Sequence, residues 1–380
     1  MKAQSRRQFL QTLAAVGVAA PTAAHAFFNL DWFQKENNEF WLSAQGNKQN
    51  NYGVGWINDQ RSNTTNSGFR GHGLSQNPVK QEQIVMFSRR PGTTGVVLNI
   101  LSGEITQTFN SPVNHHMHGH GCFSANGKYL FCSESNTENG QGVITVRNTQ
   151  NFKVEQQFSS HGIGPHEIGL MPDGSTLAVA NGGLLTHPDT GRKVLNLDSM
   201  RSTLSYISVN SGNLQNELTV NEPKSSIRHL DIGQNGEVAV AIQLQRSAAH
   251  HENLVPLAAI HNPGASSLET LDAPSPLLNK LNDYTGSVRI HSQNQIAAFT
   301  SPRGNMAMFW NIQSKQLAGY HVFHDVCGLT ISKDNQRFVL SNSSGKIRQI
   351  NARSLVEQKE RRLNFPNMQW DNHMITVANT

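Results

Sequence analysis

The 380-residue sequence has few charged residues, few aromatic residues and almost no cysteine. Lys, Arg, Asp and Glu make up 15% of it, against roughly 25% in an average soluble protein, and aromatic residues make up 7%. Three cysteines are too few for a disulfide framework. No segment after the N-terminal region approaches the roughly 20 apolar residues of a membrane-spanning helix. The abundance of Gly, Asn, Ser and Gln instead favours many short strands joined by turns.

The sequence also lacks the common catalytic motifs. It contains no nucleophile elbow, no HExxH, no phosphate-binding loop and no dinucleotide fingerprint. His166-Glu167 is not followed by a second histidine at helical spacing, so it does not indicate a metalloprotease. A basic stripe with interleaved aromatic residues is absent too, which argues against a nucleic-acid partner. These absences leave the type of reaction, if there is one, undefined.

The N-terminus has the features of an export signal. Arg6-Arg7 are followed by an apolar run over residues 9–20 and by a small-x-small cleavage site at residues 24–26. The paired arginines resemble the twin-arginine consensus, with an ordinary secretion signal or an anchor as the alternatives. We therefore predict a twin-arginine signal peptide over residues 1–26 and a periplasmic location. Because the signal carries Lys2, Arg6 and Arg7 and no acid, its removal lowers the formal net charge from +5 to +2.

A unit of about the size of a propeller blade recurs along the chain. Each copy has a short strand, a tight turn of the Asn-Gly or Asp-Gly type and an apolar strand, as at Asn126-Gly127 and Asp173-Gly174. A propeller blade needs about 40–50 residues, and the longer spacings here indicate two insertions. The units start at residues 72, 120, 166, 229, 287 and 327.

The two ends of the chain complement each other. Residues 372–377 resemble a lone first strand, whereas residues 40–44 and 52–57 resemble strands without a preceding first strand. We therefore predict an all-β fold, a seven-bladed β-propeller closed by N- and C-terminal strands that share the last blade. The predicted boundaries are a lead segment over residues 27–39 and a propeller domain over residues 40–380. A pair of β-sandwiches is the structural alternative.

Alignment of the units places polar residues at equivalent positions near the channel. The first strand of a blade lines the channel, and the positions that start it are mostly histidine, so blade symmetry predicts that they converge. Polar residues at the ends of the second strands, together with neighbours of the histidines, are candidate ligand-binding residues. These candidates are Arg90, Glu134, Glu167, Asn181, Arg228, Gln243, Ser287 and Arg303.

The histidines at the strand starts are candidate metal ligands. Neutral imidazole suits Zn, Cu, Fe and Ni. Five ring positions are expected to lie too far apart to bind one ion together, so two to four of them would be the ligands. Histidines that only form hydrogen bonds between blades remain the structural alternative. The candidate metal ligands are His72, His118, His120, His166, His229, Cys327 and His373.

The run His115-His116-Met117-His118 is a separate signal. On a loop it would be a metal-binding tract or a flexible solvated segment, whereas His118 and His120 would share a face if they lie on a strand. Cys122 and Cys132 flank one predicted hairpin, and the sequence leaves open whether they form a disulfide. Cys327 has no obvious partner.

Several short motifs spread along the chain resemble those of a known family. They include residues 70–73, 87–92, 160–167, 226–230, 300–304, 325–328 and 370–373. At these motifs the chain resembles a bacterial family of exported proteins known as a domain of unknown function, number fifteen-thirteen. The resemblance covers most of the predicted propeller, although residues 115–118 depart from the family pattern. It implies a fold in the broad WD40/YVTN class and a genomic neighbourhood with imelysin-type and di-haem proteins.

Three functional hypotheses follow. The first is a periplasmic binding protein that holds a metal ion, iron or copper rather than zinc, or a small ligand, and that serves metal acquisition. The second is a metal-dependent redox or hydrolytic enzyme that uses the same residues. The third is a scaffold that docks a partner protein, with imelysin-type or di-haem proteins as the expected partners.

Overall fold

The computed structural model describes residues 39–46, 51–58 and 61–378. The predicted signal peptide over residues 1–26 lies outside these ranges, as does the predicted lead segment except for its last residue. The described residues form seven four-stranded antiparallel sheets, which confirms the seven-bladed β-propeller and not the pair of β-sandwiches.

The ring is closed by strands from both ends of the chain. The sheet order of blade 7 is β28-β1-β2-β3, so the C-terminal strand is its first strand and pairs antiparallel with β1. This arrangement confirms the predicted closure. The four strands are β1 (Glu39–Gly46), β2 (Tyr52–Ile57), β3 (Ser62–Asn66) and β28 (Ile375–Ala378).

The other six blades follow one another along the chain, and each contributes four consecutive strands. In blades 1 to 3 the strands are β4 (Gly71–Gln76), β5 (Gln83–Ser88), β6 (Thr94–Asn99), β7 (Glu104–Asn110), β8 (His115–Phe123), β9 (Tyr129–Asn136), β10 (Gly142–Asn148), β11 (Val154–Ser159), β12 (Pro165–Leu170), β13 (Thr176–Asn181), β14 (Thr203–Ser208) and β15 (Leu214–Leu218).

Blades 4 to 6 repeat this order. Their strands are β16 (Ser225–Ile232), β17 (Val238–Leu244), β18 (Ala258–His261), β19 (Glu269–Thr270), β20 (Val288–His291), β21 (Ile296–Ser301), β22 (Met306–Asn311), β23 (Leu317–Val322), β24 (Val326–Ile331), β25 (Arg337–Asn342), β26 (Lys346–Asn351) and β27 (Leu363–Asn364).

Helical structure in residues 39–46, 51–58 and 61–378 is confined to short turns in the connections. This part of the chain has two short helices, α1 (Arg246–Ala249) and α2 (Ser275–Lys280), and two 3₁₀ turns, Pro188–Thr190 and Lys359–Arg361. Within the described ranges, none of the helices is long and apolar enough to cross a bilayer.

The tight turns between first and second strands need a left-handed backbone. Gly127, Gly174 and Gly236 have φ values of 65°, 67° and 91°, and Gln295 and Asn335 take the same role in later blades. Glycine and asparagine tolerate this conformation better than other residues. The turn residues therefore set the hairpin repeat that the sequence displays.

The hydrophobic core lies between neighbouring blades. The second strands are almost wholly buried, as in β13, where all six residues are buried. The outermost strands alternate between exposed and partly buried residues, as in β23. The first strands of neighbouring blades contact one another around the axis, so their side chains are brought together there.

Candidate functional site

Histidines from five different blades meet near the propeller axis. One ring nitrogen from each of His72, His120, His229 and His373 lies within 4.8 Å of the others, and all four residues are buried. The ring centroid of His166 lies 4.6 Å from the ring centroid of His229 and 5.1 Å from that of His120. We call these five residues the histidine cluster.

β-Bulges in the first strands aim these side chains at the axis. The register shifts between Gly71 and Leu74, Met117 and Gly121, Pro165 and Glu167, and Ile227 and His229, and also in β24. A bulge inserts extra residues into one strand and re-aims the side chain there. Four of the five clustered histidines lie at or beside such a bulge, so local backbone irregularity builds the cluster.

Two glycines let the first strands of blades 1 and 2 approach closely. A Cβ on Gly73 would lie 2.7 Å from Nδ1 of His120, and a Cβ on Gly119 would lie 2.7 Å from Cδ2 of His72. Gly119 also has a φ of 101°, which favours glycine. These glycines leave room for the imidazoles of His72 and His120.

Neighbouring polar groups fix the orientation of three imidazoles. Nδ1 of His229 lies 3.0 Å from the Glu167 carboxylate, and Nδ1 of His120 lies 3.4 Å from its other oxygen. Nδ1 of His373 lies 3.0 Å from Oγ of Ser287. Metal-binding histidines usually donate their second ring N–H to such a partner. Glu167 and Ser287 therefore contact the Nδ1 atoms of these imidazoles. The Nε2 atoms on the opposite side of each ring stay available to bind a metal ion.

The remaining nitrogens of the cluster suit a metal ion. Nε2 of His120 and Nε2 of His373 are buried without a hydrogen-bond partner. Metal–nitrogen bonds of about 2.0–2.1 Å in a tetrahedral site place the donor nitrogens about 3.4 Å apart. Pairs of donor nitrogens that now lie up to 4.8 Å apart would therefore have to approach each other by about 1.4 Å or less. Burial holds the pKa values of His72 and His373 well below the usual range and lowers that of His229 to about 4. Neutral imidazoles are the form that binds metal.

A polar cavity of about 250 Å³ adjoins the histidine cluster. Three cluster members, His72, His166 and His229, line it. No acidic residue is among the described residues in its wall. Its other lining residues are Arg89, Arg90, His118, Arg192, Arg228, Gln243, Tyr284, Pro302, Arg303 and Asn372.

The structure brings together several of the predicted ligand-binding residues and separates others. Arg90, Arg228, Gln243 and Arg303 all line the cavity. Glu134 instead lies in a buried ion pair, 2.9 Å from Arg147.

Asn181 and Cys327 also lie away from the cavity wall. The Asn181 amide donates to the Ser160 carbonyl oxygen at 2.9 Å. The Cys327 thiol is buried beside the Ser341 and Trp370 carbonyl oxygens, at 3.8 and 3.9 Å. It is not part of the four-histidine group, and burial raises its pKa. A buried neutral thiol there packs as a small apolar residue.

Of the alternatives that the sequence left open for residues 115–118, the structure has the strand and not the loop. These residues begin β8, and His116 and His118 are buried. His118 lines the cavity, and its Nε2 lies 2.7 Å from Oγ of Ser135. The register shift between Met117 and Gly121 keeps this strand paired to β9 across the extra residues. His118 therefore belongs to the cavity wall and not to the four-histidine group.

Cys122 and Cys132, for which the sequence left a disulfide open, both carry free thiols. Cys122 lies opposite Phe131, and Cys132 lies opposite Gly121. Because successive residues of a strand face opposite sides of the sheet, the two thiols point away from each other.

Arg192, Tyr284 and Asn372 line the cavity but were missed by the alignment of repeats. Arg192 lies in the connection between β13 and β14, and Tyr284 lies in the connection between β19 and β20. Asn372 immediately precedes His373 and donates to the Tyr284 hydroxyl at 3.3 Å. The two long spacings between units were the available signal, since insertions that are longer than a blade requires often carry function.

The fold and the cluster define a class: a closed β-propeller with a buried group of histidines near its axis, beside an arginine-lined cavity. Within that class, the chain belongs to the family described as "Protein of unknown function (DUF1513)", which it matches over residues 66–377. The match confirms the resemblance found in the sequence. No curated protein matches the chain significantly.

The propeller is also similar to a solved structure. Kuenenia stuttgartiensis Hydrazine Synthase superposes with a TM-score of 0.61 at 13% sequence identity, over 79% of this chain and 89% of that one. At this level of identity the similarity concerns the fold alone.

Proposed function

We propose that this protein is a periplasmic binding propeller that holds one transition-metal ion, iron or copper, on His72, His120, His229 and His373. The observation that carries the proposal is the convergence of four buried donor nitrogens within 4.8 Å. Second partners on three of the imidazoles add to it, since such partners accompany metal-binding histidines. An all-imidazole donor set is compatible with both metals.

Export by the twin-arginine route and a role in metal acquisition belong to the same proposal. They are supported by the paired arginines Arg6-Arg7 and by the family resemblance. Imelysin-type or di-haem proteins are the proposed partners on the ground of that resemblance.

Metal analysis tests the proposal directly. We expect wild-type protein to contain about one iron or copper ion per chain, and the double variant His120→Ala/His229→Ala to contain none. His251→Ala is the matched control, because His251 lies in a surface pair 2.9 Å from Glu222. Elemental analysis and the visible absorption spectrum give the readout, with circular dichroism to verify folding. Equal metal content in wild type and the double variant would contradict the proposal.

The cavity beside the cluster favours a second candidate, a metal-dependent redox or hydrolytic enzyme. A cavity of about 250 Å³ next to a bound metal leaves space for a substrate. This candidate predicts that metal-loaded protein oxidises a redox dye or hydrolyses a chromogenic ester, and that His120→Ala/His229→Ala abolishes that turnover. If the metal-loaded protein is inactive in both assays, the enzyme candidate is excluded and the binding function remains.

A further inference from the structure

The cavity wall concentrates positive charge. Five arginines, Arg89, Arg90, Arg192, Arg228 and Arg303, line a volume of about 250 Å³. The described lining residues include no carboxylate. Asp371, outside the wall, pairs with Arg89 at 2.8 Å and with Arg70 at 2.7 Å, so it offsets the charge of only one of the five wall arginines. The cavity therefore keeps an excess of positive charge.

Two of these guanidinium groups are buried without an acidic partner. Arg90 and Arg228 are 8% and 6% exposed. The nearest polar contact of Arg228 is Nε2 of His166 at 3.5 Å, and its own Nε has no hydrogen-bond partner. Burial of an unpaired cation is unfavourable. Consistent with that cost, burial and neighbouring arginines lower the pKa of Arg90.

Neutral donors complete the wall. Gln243 offers an amide, and the Tyr284 hydroxyl accepts from Asn372 at 3.3 Å, which leaves its own proton to donate. The guanidinium of Arg303 lies 5.0 Å from the centre of the Tyr284 ring, which holds both side chains in place. Planar guanidinium groups bind carboxylate and phosphate oxygens in pairs.

We propose that this cavity is a binding site for a small anion that carries at least two carboxylate or phosphate groups. Arg90 and Arg228 contact it from the buried side, and Arg192 and Arg303 close over it from the exposed side. The bound anion supplies the negative charge that the arginines lack. The proposal goes beyond the proposed metal binding and does not depend on it, because the arginines converge whether or not the cluster holds an ion.

Calorimetric titration of metal-free protein tests the proposal, with citrate and pyrophosphate as probes and acetate as the single-charge comparison. We expect saturable binding of citrate or pyrophosphate to one site and much weaker binding of acetate. Affinity should fall as NaCl is raised. Arg228→Gln and Arg90→Gln should each weaken binding by about tenfold or more, as expected for loss of a charged hydrogen bond.

Two further variants separate binding from folding. Arg192→Gln/Arg303→Gln changes only exposed side chains, so it should fold normally and still bind the probe about tenfold or more weakly. Arg362→Gln removes an exposed arginine paired with Glu357 and should leave binding unchanged.

Three results would overturn the proposal. The first is that neither probe binds metal-free protein. The second is that a probe binds only after metal loading and with equal affinity in the arginine variants, which assigns the anion to the metal alone. The third is that Arg362→Gln weakens binding as much as Arg228→Gln, which indicates general charge attraction. If the wild-type protein holds no metal ion but still binds the anion probe, only the proposed function is contradicted.

Discussion

At the scale of single residues, Glu167 links two members of the histidine cluster. Its carboxylate accepts from Nδ1 of His229 and from the backbone N–H of Leu230, at 3.0 and 3.1 Å, and its other oxygen lies 3.4 Å from Nδ1 of His120. Burial opposes ionisation of Glu167, yet the charges and hydrogen bonds of His120 and His229 bring its pKa well below the usual range. An ionised carboxylate there also offsets the charge of a bound cation.

Glu167→Gln is expected to lower metal affinity about 10–100-fold with the fold intact. The glutamine amide can accept from one histidine, but its NH₂ group faces the other N–H and disturbs the orientation of that imidazole. Competition with a chelating dye measures the change. Glu222→Gln is the matched control, because Glu222 pairs with His251 at the surface. If Glu167→Gln binds metal as tightly as this control, Glu167 does not orient the ligands.

At the scale of strands, blade 2 contains a buried ion pair that joins β9 to β10. Glu134 accepts from Arg147 at 2.9 Å and from the Thr145 hydroxyl at 2.6 Å. The Arg147 guanidinium lies 4.8 Å from the centre of the Phe109 ring of the neighbouring blade and donates to the Phe152 carbonyl oxygen. The pair thus fixes two strands and one blade interface.

Removal of one partner from this pair should be strongly destabilising. We expect Glu134→Ala and Arg147→Ala each to lower the free energy of unfolding by about 3–5 kcal/mol, because the other charge is left buried. The double variant should lose less than the sum of the two. Urea unfolding of all four proteins measures the coupling.

The surface pair Arg201–Glu217 provides the comparison for that experiment. Arg201 is 62% exposed, and exposed pairs contribute about 0–1 kcal/mol. A coupling energy for Glu134 and Arg147 no larger than that of the surface pair would show that burial does not strengthen the interaction.

The strands could be predicted from the sequence because their turns are recognisable, but the β-bulges within the strands could not. Turn residues such as Asn126-Gly127 mark each hairpin, because few residue types tolerate a positive φ. The bulges have no such sequence signature, because one extra residue does not alter the type of residues that a strand contains. For that reason the sequence left open whether residues 115–118 form a loop or a strand, and the clustered histidines lie closer together than expected.

At the scale of the whole molecule, the ring depends on the pairing of β28 with β1. The two strands pair over Glu39–Ala378 to Leu42–Ile375. The buried Val377 packs with Phe40 in the hydrophobic core between blades 7 and 1. Without β28, the edge of β1 would be open to pairing with other chains.

Truncation after His373 is therefore expected to lower the melting temperature by about 10 °C or more and to promote aggregation. The loss follows from the removed pairing and from the exposed hydrophobic core between blades 7 and 1. Calorimetry and light scattering measure both effects. Addition of a synthetic peptide that covers residues 371–380 should restore part of the stability. An unchanged melting temperature would show that the ring does not need this strand.

The repeat of blades also determines which residues of the site could be predicted from the sequence. The residues of the histidine cluster, together with Arg90 and Arg303, occupy repeated positions, so alignment of the units found them. Arg228 was found because it precedes His229. Arg192 and Tyr284 lie in connections that are longer than the equivalent connections of the other blades. Their place in the cavity wall depends on how two long connections fold back, which no periodic pattern encodes.

The placement of His373 beside the strand that closes the ring has a consequence for biosynthesis. His72 belongs to the first complete blade to leave the ribosome, whereas His373 is among the last residues of the described propeller to be synthesised. The four-histidine site therefore cannot form until the last strand of the propeller has been synthesised, and a metal ion bound to all four would join the first complete blade to the segment that leads into the closing strand. Under the proposed function, metal binding would then require a completed propeller, and the proposed export route, which carries folded proteins, would receive only chains with a completed propeller.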